Sequence, residues 1–149
     1  MNRFRWAWLL VAATAWLPST FAAEDAQGFI RIRPDEIVWR HNNEGPDIAV
    51  IAGDPTKEGF YIIRARFAPG VMSRPHYHPH ERYVTVLKGT WWTGTGSKLD
   101  RDATVPLPVG GYMMHPAGAV HYDGAKDEEV IVEIKGMGPA PSIPAGQQP

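Results

Sequence analysis

From residue 28 onward the apolar positions come in short runs, mostly β-branched or aromatic, broken every eight to twelve residues by turn chemistry. In the run 60–67, Ile63, Ala65 and Phe67 fall on one side and Arg64 and Arg66 on the other, the two-residue period of a strand. Comparable runs cover 29–33, 36–39, 48–52, 60–67, 75–78, 83–88, 90–95, 104–106, 112–115, 120–123 and 129–135. Gly53-Asp54-Pro55, Pro69-Gly70, Lys88-Gly89, Gly110-Gly111 and Ala117-Gly118 separate them. In such turns glycine supplies positive φ and proline fixes φ at strand ends. No window of eleven or more residues shows a helical repeat. The pattern predicts an all-β sandwich or barrel.

Two segments fall outside this pattern. Arg3 and Arg5 precede an apolar stretch over 6–17, and small residues follow at 18–22. That is the layout of a secretory signal peptide, residues 1–22, with cleavage after Ala22. The apolar stretch falls short of the ~20 residues that span a bilayer. The expected location is the periplasm or the exterior, with no membrane attachment after cleavage. At the other end, residues 137–149 carry Pro139, Pro141, Pro144 and Pro149, too many prolines for a central strand. They are expected to form an extended, mobile tail. Residues 23–136 remain as one domain.

Composition narrows the chemistry. The chain has 149 residues, 44% hydrophobic and 21% charged, enough for a single buried core. Its 15 Gly and 14 Pro weigh against a helical bundle. The net charge is −1, and loss of Arg3 and Arg5 with the signal would leave 13 basic against 16 acidic residues. That provides no basic field for nucleic acid. The absence of Cys excludes thiolate-held zinc, iron–sulfur clusters, disulfides and a thiol nucleophile. Histidines and carboxylates are left to carry any chemistry.

Five of the six His lie between positions 76 and 121. His76 and His78 are two apart in a predicted strand, so both imidazoles face the same way and can reach one ion. His121 follows the tight turn Pro116-Ala117-Gly118-Ala119 and can supply a third ligand. His41 sits in a polar loop and reads as a surface residue, as does His80 after Pro79. His115 lies near the end of a strand feeding the same region, beside Met113 and Met114, and is a candidate proton carrier. Of Trp91 and Trp92, alternation places one indole in the core and one on the other sheet face.

At these residues the chain resembles the cupin superfamily, in particular small single-domain bacterial cupins. Gly70, His76, His78 and Gly89 match the spacing G-x5-H-x-H-x3,4-E-x6-G, and Gly110, Pro116, Gly118 and His121 match G-x5-P-x-G-x2-H-x3-N. The resemblance implies a double-stranded β-helix, or jelly roll, with one divalent transition metal (Fe, Ni, Mn, Zn or Cu) held by His76, His78 and His121. Pairing through an early strand such as 29–33 is common in that family and implies a homodimer. Two positions depart from the pattern. The family's glutamate ligand falls on Arg82, with Glu81 one residue early, and the final Asn is Ala125. Either a bulge returns Glu81 to the ion as a fourth ligand, or three His hold it with Arg82 alongside.

Imidazoles suit first-row transition metals, and three of them leave positions open for substrate. An ion without a carboxylate ligand keeps its full charge and favours a small anionic partner. The expectation is therefore an exported metal-binding cupin, dioxygenase-like, acting on a small anionic enol, phenol or carboxylate, with His115 and Arg82 as catalytic candidates. A lyase or isomerase using the same metal, and a non-catalytic periplasmic binder, are the alternatives. The fold class alone does not choose among them.

Overall fold

The computed structural model describes residues 24–147, so the segment expected as a signal peptide lies outside the described residues. Residues 24–31 belong to a unit separate from the domain that begins at Ile32. In that first unit the Asp25 carboxylate accepts hydrogen bonds from the backbone N–H groups of Gln27 and Phe29, and a single antiparallel bridge joins Glu24 to Ile30. The side chain thus ties into a turn the segment expected as a strand at 29–33. The strand expected at 36–39 is also absent. A 3-10 helix, Pro34–Glu36, stands there instead, started by a proline whose fixed φ suits a first helical position and by the Glu36 carboxylate on the Arg33 N–H.

Among the described residues the domain has ten strands: β1 (Asp47–Ala52), β2 (Gly59–Phe67), β3 (His76–Tyr77), β4 (Arg82–Lys88), β5 (Trp91–Thr95), β6 (Val105–Leu107), β7 (Tyr112–His115), β8 (His121–Gly124), β9 (Val130–Gly138) and β10 (Ile143–Pro144). They form two antiparallel five-stranded sheets, ordered β1-β2-β9-β4-β7 and β10-β3-β8-β5-β6. Each run expected between 48 and 135 overlaps one of β1 to β9.

Period-two alternation builds the core. Tyr61, Ile63, Ala65 and Phe67 from β2, Val84 and Val86 from β4, and Val130, Val132 and Ile134 from β9 turn inward, joined by Trp91 from β5. On the outer face, Arg64 lies opposite Glu133 and Arg66 opposite Asp47, with N···O distances of 3.0 and 2.7 Å. These opposite charges fix the register of the sheet's outer three strands. Arg64 and Arg66 are therefore half-buried cross-strand partners rather than free solvent groups, and Arg66 also covers the Trp39 ring. Gly94 makes room for a second buried aromatic: a Cβ there would lie 2.2 Å from the Tyr122 ring, whose hydroxyl donates to the Asp100 carbonyl.

The C-terminal segment departs from its expectation. β9 runs to Gly138, past the boundary expected at 136. The prolines do keep residues 139–147 off any central strand, but the intervening N–H groups pin them. Ala140 donates to the Pro55 carbonyl, Ala145 to the Pro75 carbonyl, and β10 pairs with β3 at the sheet edge. The segment is extended but bonded down, and it closes over one side of the histidines.

Candidate metal centre

In the second sheet His76 stands opposite His121, and Thr95 follows His121 in the same row. His78 lies two residues beyond His76, just past the end of β3. The ring centroids are 4.5 Å apart for His76 and His121, 4.9 Å for His76 and His78, and 5.3 Å for His78 and His121. One ligand atom from each lies within 4.8 Å of the other two. The sequence therefore brings the three expected ligands together.

Each ring is also fixed by a backbone carbonyl. Nδ1 of His76 donates to Arg74, Nδ1 of His78 to Pro141 and Nδ1 of His121 to Ala119, at 2.8, 2.9 and 3.0 Å. A proton held on Nδ1 leaves Nε2 with its lone pair, the tautomer that binds a metal. Two of these carbonyls are two residues upstream of their own histidine. The third comes from the C-terminal segment, so that segment is part of the site.

Arg82 and Glu81 resolve the alternative left open by the sequence. β4 pairs regularly with β9 from Arg82 to Val86, and its one irregularity falls later, between Val86 and Lys88. No bulge returns Glu81 to the interior. Its carboxylate is exposed and accepts the Tyr83 hydroxyl on the outer face, so Glu81 is not among the grouped ligands. Arg82 points inward instead. Its Nη1 lies 2.6 Å from Nε2 of His78, and its Nε is buried without a partner.

His115 is 2% exposed, and neither ring nitrogen has a hydrogen-bond partner. Its ring centroid lies 3.8 Å from that of His121 and 5.8 Å from that of Trp91. With His121 and Asp123 it forms a second grouping of ligand-type atoms. Asp123 was not singled out from the sequence. It lies two residues beyond His121 on β8, faces the same way, and is held by hydrogen bonds with Ser73.

Burial sets the electrostatics. Desolvation first, and then the Arg82 charge, holds the His78 imidazole down to about 2. Desolvation, then the neighbouring His121 and Arg82, pushes His115 equally low, to about 2. Burial lowers His121 as well, opposed by the Asp123 carboxylate. Burial also lowers Arg82 and raises the Tyr61 phenol, the latter opposed by the Arg82 charge. The His78, His115 and His121 imidazoles are thus held neutral at ordinary pH, the form in which imidazole binds a metal.

The other candidates lie apart. His80 is exposed, and His41 is an exposed partner of Asp47. Trp91 is in the core, whereas Trp92 lies on the opposite sheet face under the Lys126 ammonium. Met113 packs against the core and Met114 is exposed. An apolar cavity of about 320 Å³ is lined by Thr93, Thr95, Val105, Leu107, Tyr112 and Met113. Thr93 and Thr95 stand opposite Asp123 and His121 in the sheet, so the cavity adjoins the strands that carry the site.

The donor set fits a divalent transition metal. Three carbonyl-anchored imidazoles converge, and the buried Nε2 of His121 has no hydrogen-bond partner in the protein. Comparison with known proteins agrees on the fold. No family model matches the chain. A germin-like protein, subfamily 3 member 2, from Arabidopsis thaliana is 31% identical over 65 residues, which are 43% of this chain and 29% of that protein. The match therefore spans less than a third of that curated relative. The polyketide cyclase RemF from Streptomyces resistomycificus superposes on 78% of this chain and 85% of its own, with TM-score 0.66 and 15% identity. An RmlC-like cupin from Shewanella frigidimarina covers 78% and 91%, with TM-score 0.59 and 13% identity. The fold is the double-stranded β-helix of the cupins.

Proposed function

We propose that this protein is an exported, mononuclear-metal cupin enzyme acting on a small anionic enol, phenol or carboxylate. The observation that carries the reading is the convergence of His76, His78 and His121, each with Nδ1 tied to a carbonyl, with Nε2 of His121 unpartnered and an inward Arg82 beside Nε2 of His78. A divalent metal held there would act as a Lewis acid toward a bound oxygen.

The chain's own residues supply the rest. Arg82 places a fixed positive charge where the family pattern has a carboxylate, so the site attracts an anion. The half-buried His76 and Arg82 are the members a ligand can reach first, while His78, His115 and His121 are only 2–3% exposed. The carbonyls of Arg74, Ala119 and Pro141 hold the rings in one orientation. His115, neutral and with both nitrogens unpartnered, can hydrogen-bond a bound substrate inside the site. The apolar cavity beside β5 and β7 accommodates a substrate body without charge.

Oxygenase chemistry is one form of this reading, and an oxygen-independent lyase or isomerase is the other. The polyketide cyclase among the structural neighbours supports only the fold. To separate the forms, the protein is loaded in turn with Fe, Mn, Ni, Zn and Cu and offered catechols, flavonols, β-diketones and hydroxy acids with and without O₂. Turnover that His76→Ala abolishes is expected. Oxygen uptake would identify the oxygenase, and conversion under argon the lyase or isomerase. Retention of a small ligand through purification with no turnover would instead identify a non-catalytic binder, which the near-complete burial of the rings also suits. Cell fractionation tests export, and light scattering tests the homodimer that belongs to this reading.

A further inference from the structure

The first sheet carries a polar row of which the metal reading uses only Arg82 and His115. Across β2, β9, β4 and β7, Tyr61 is in register with Gly136, Gly136 with Arg82, and Arg82 with His115. All four positions face the interior. Tyr61 is fully buried, yet its hydroxyl has no hydrogen-bond partner, and the same is true of the buried Nε of Arg82 and both nitrogens of His115. No carboxylate lies within salt-bridge distance of the Arg82 guanidinium among the described residues. Buried polar groups are almost always satisfied, and buried charges almost always paired. Several unsatisfied donors in one row therefore point to a ligand that satisfies them.

Gly136 provides the space. A Cβ there would lie 2.9 Å from the Tyr61 hydroxyl oxygen and 3.2 Å from two of its ring carbons. Glycine in a strand interior costs β-propensity and often marks a close approach of another group. Here it lets the phenol lie across β9 toward the guanidinium.

We propose that Tyr61, Gly136 and Arg82 form a carboxylate clamp. Arg82 donates through Nε and a terminal nitrogen, Tyr61 donates through its hydroxyl, and the ligand is held by these groups directly rather than through the metal. This rests on the reading of the site as one for small anions and extends it. The substrate carries a carboxylate for the clamp and, on the side facing the second sheet, a separate oxygen for the histidine-held ion. Hydroxy, oxo and enol acids have that form, whereas neutral catechols, flavonols and β-diketones lack the first group.

The test uses the full chain freed of metal by chelation, with acetate and pyruvate as probes in a buffer without carboxylate, phosphate or sulfate. The proposal expects both probes to bind the metal-free protein. Tyr61→Phe is expected to weaken binding about tenfold, the loss of one hydrogen bond to a charged group. Arg82→Gln is expected to abolish it. Gly136→Ala, whose new methyl meets only the far end of the Tyr61 ring, is expected to weaken binding comparably to Tyr61→Phe. His80→Ala, at an exposed position apart from the site, is expected to leave carboxylate binding within twofold of the unmodified protein. On the unmodified protein, the Nε–H resonance of Arg82 should move downfield as pyruvate is added, a readout that needs no variant to fold. Binding that appears only after zinc is restored, with that resonance unmoved and Tyr61→Phe unchanged, would overturn the clamp and leave the metal reading intact. Carboxylate binding to a protein that takes up no zinc would do the reverse.

Discussion

Arg82 shows how far one residue can be read from sequence and where the reading stops. Counting back from Gly89 assigns it to the position of a ligand glutamate, but spacing cannot say whether Arg82 or Glu81 turns inward, because a shift of one residue reverses the face. The regular pairing of Arg82 with Gly136 and His115 decides it. The three candidate histidine ligands were legible because i, i+2 spacing and a glycine turn have direct geometric meaning. Asp123 and Tyr61 were not, since an inward polar residue looks like any other until its neighbours are known. The same burial makes a pH prediction. His78 and His115 are held down to about 2 in the folded protein, while an unfolded imidazole titrates near 6.5. Above pH 7 both states are neutral, and the full stability is present. Below pH 6.5 the unfolded chain takes up protons that the folded one refuses, so stability falls continuously toward the folded values. The slope is about 1.4 kcal/mol per pH unit for each such histidine. Urea unfolding of metal-free protein at pH 8, 6 and 5 should show this loss, and His115→Gln should remove about one histidine's share between pH 6 and 5. An unchanged slope in that variant would mean that His115 is not held neutral by burial.

At the level of elements, the strands from β1 to β9 were legible because alternation and turn residues act locally. The two earliest runs failed because side-chain bonds from Asp25 and Glu36 outcompete strand pairing for a few residues. The C-terminal segment was misread for a different reason. Proline content correctly forbids a central strand, but it says nothing about which carbonyls become acceptors. The Pro141 carbonyl holds Nδ1 of His78, so a stretch that looked like a loose tail orients a candidate metal ligand. Such outer partners typically change metal affinity by about 10- to 100-fold. Ending the chain at Gly138 keeps the whole of the first sheet and removes β10 and this carbonyl. The shortened protein should retain its β circular-dichroism spectrum and bind zinc at least tenfold more weakly in competition with a chromophoric chelator. Pro141→Ala, which keeps the carbonyl, should bind like the full chain. Equal affinity of the shortened protein would show that His78 needs no such support.

For the whole molecule, two parts of one interior make opposite contributions. The packed half of β2, β4 and β9, with Trp91, is apolar and supplies the burial that holds the domain together. The other half gathers Arg82, Tyr61, His115 and His121, with buried polar atoms that the protein itself leaves unpartnered. Each such group opposes folding, and an ion pair or hydrogen bond supplied by a ligand would offset that opposition. Two consequences can be measured. Zinc at a hundred times its dissociation constant should raise stability by about 2.7 kcal/mol, and chelation should reverse it. More specifically, exchanging the guanidinium for an unbranched apolar chain should stabilise the empty protein while destroying the site. Arg82→Met in metal-free protein at pH 8 should raise the urea midpoint, by about 1 kcal/mol or more in free energy, because an uncompensated buried cation is replaced by a side chain that packs. The loss of the Arg82 contact to Nε2 of His78 works against this gain. The sign of the change therefore weighs one effect against the other: a lower midpoint would mean that Arg82 is a structural partner of His78, whereas a higher one would mean that the cation is kept at the expense of stability for what it binds.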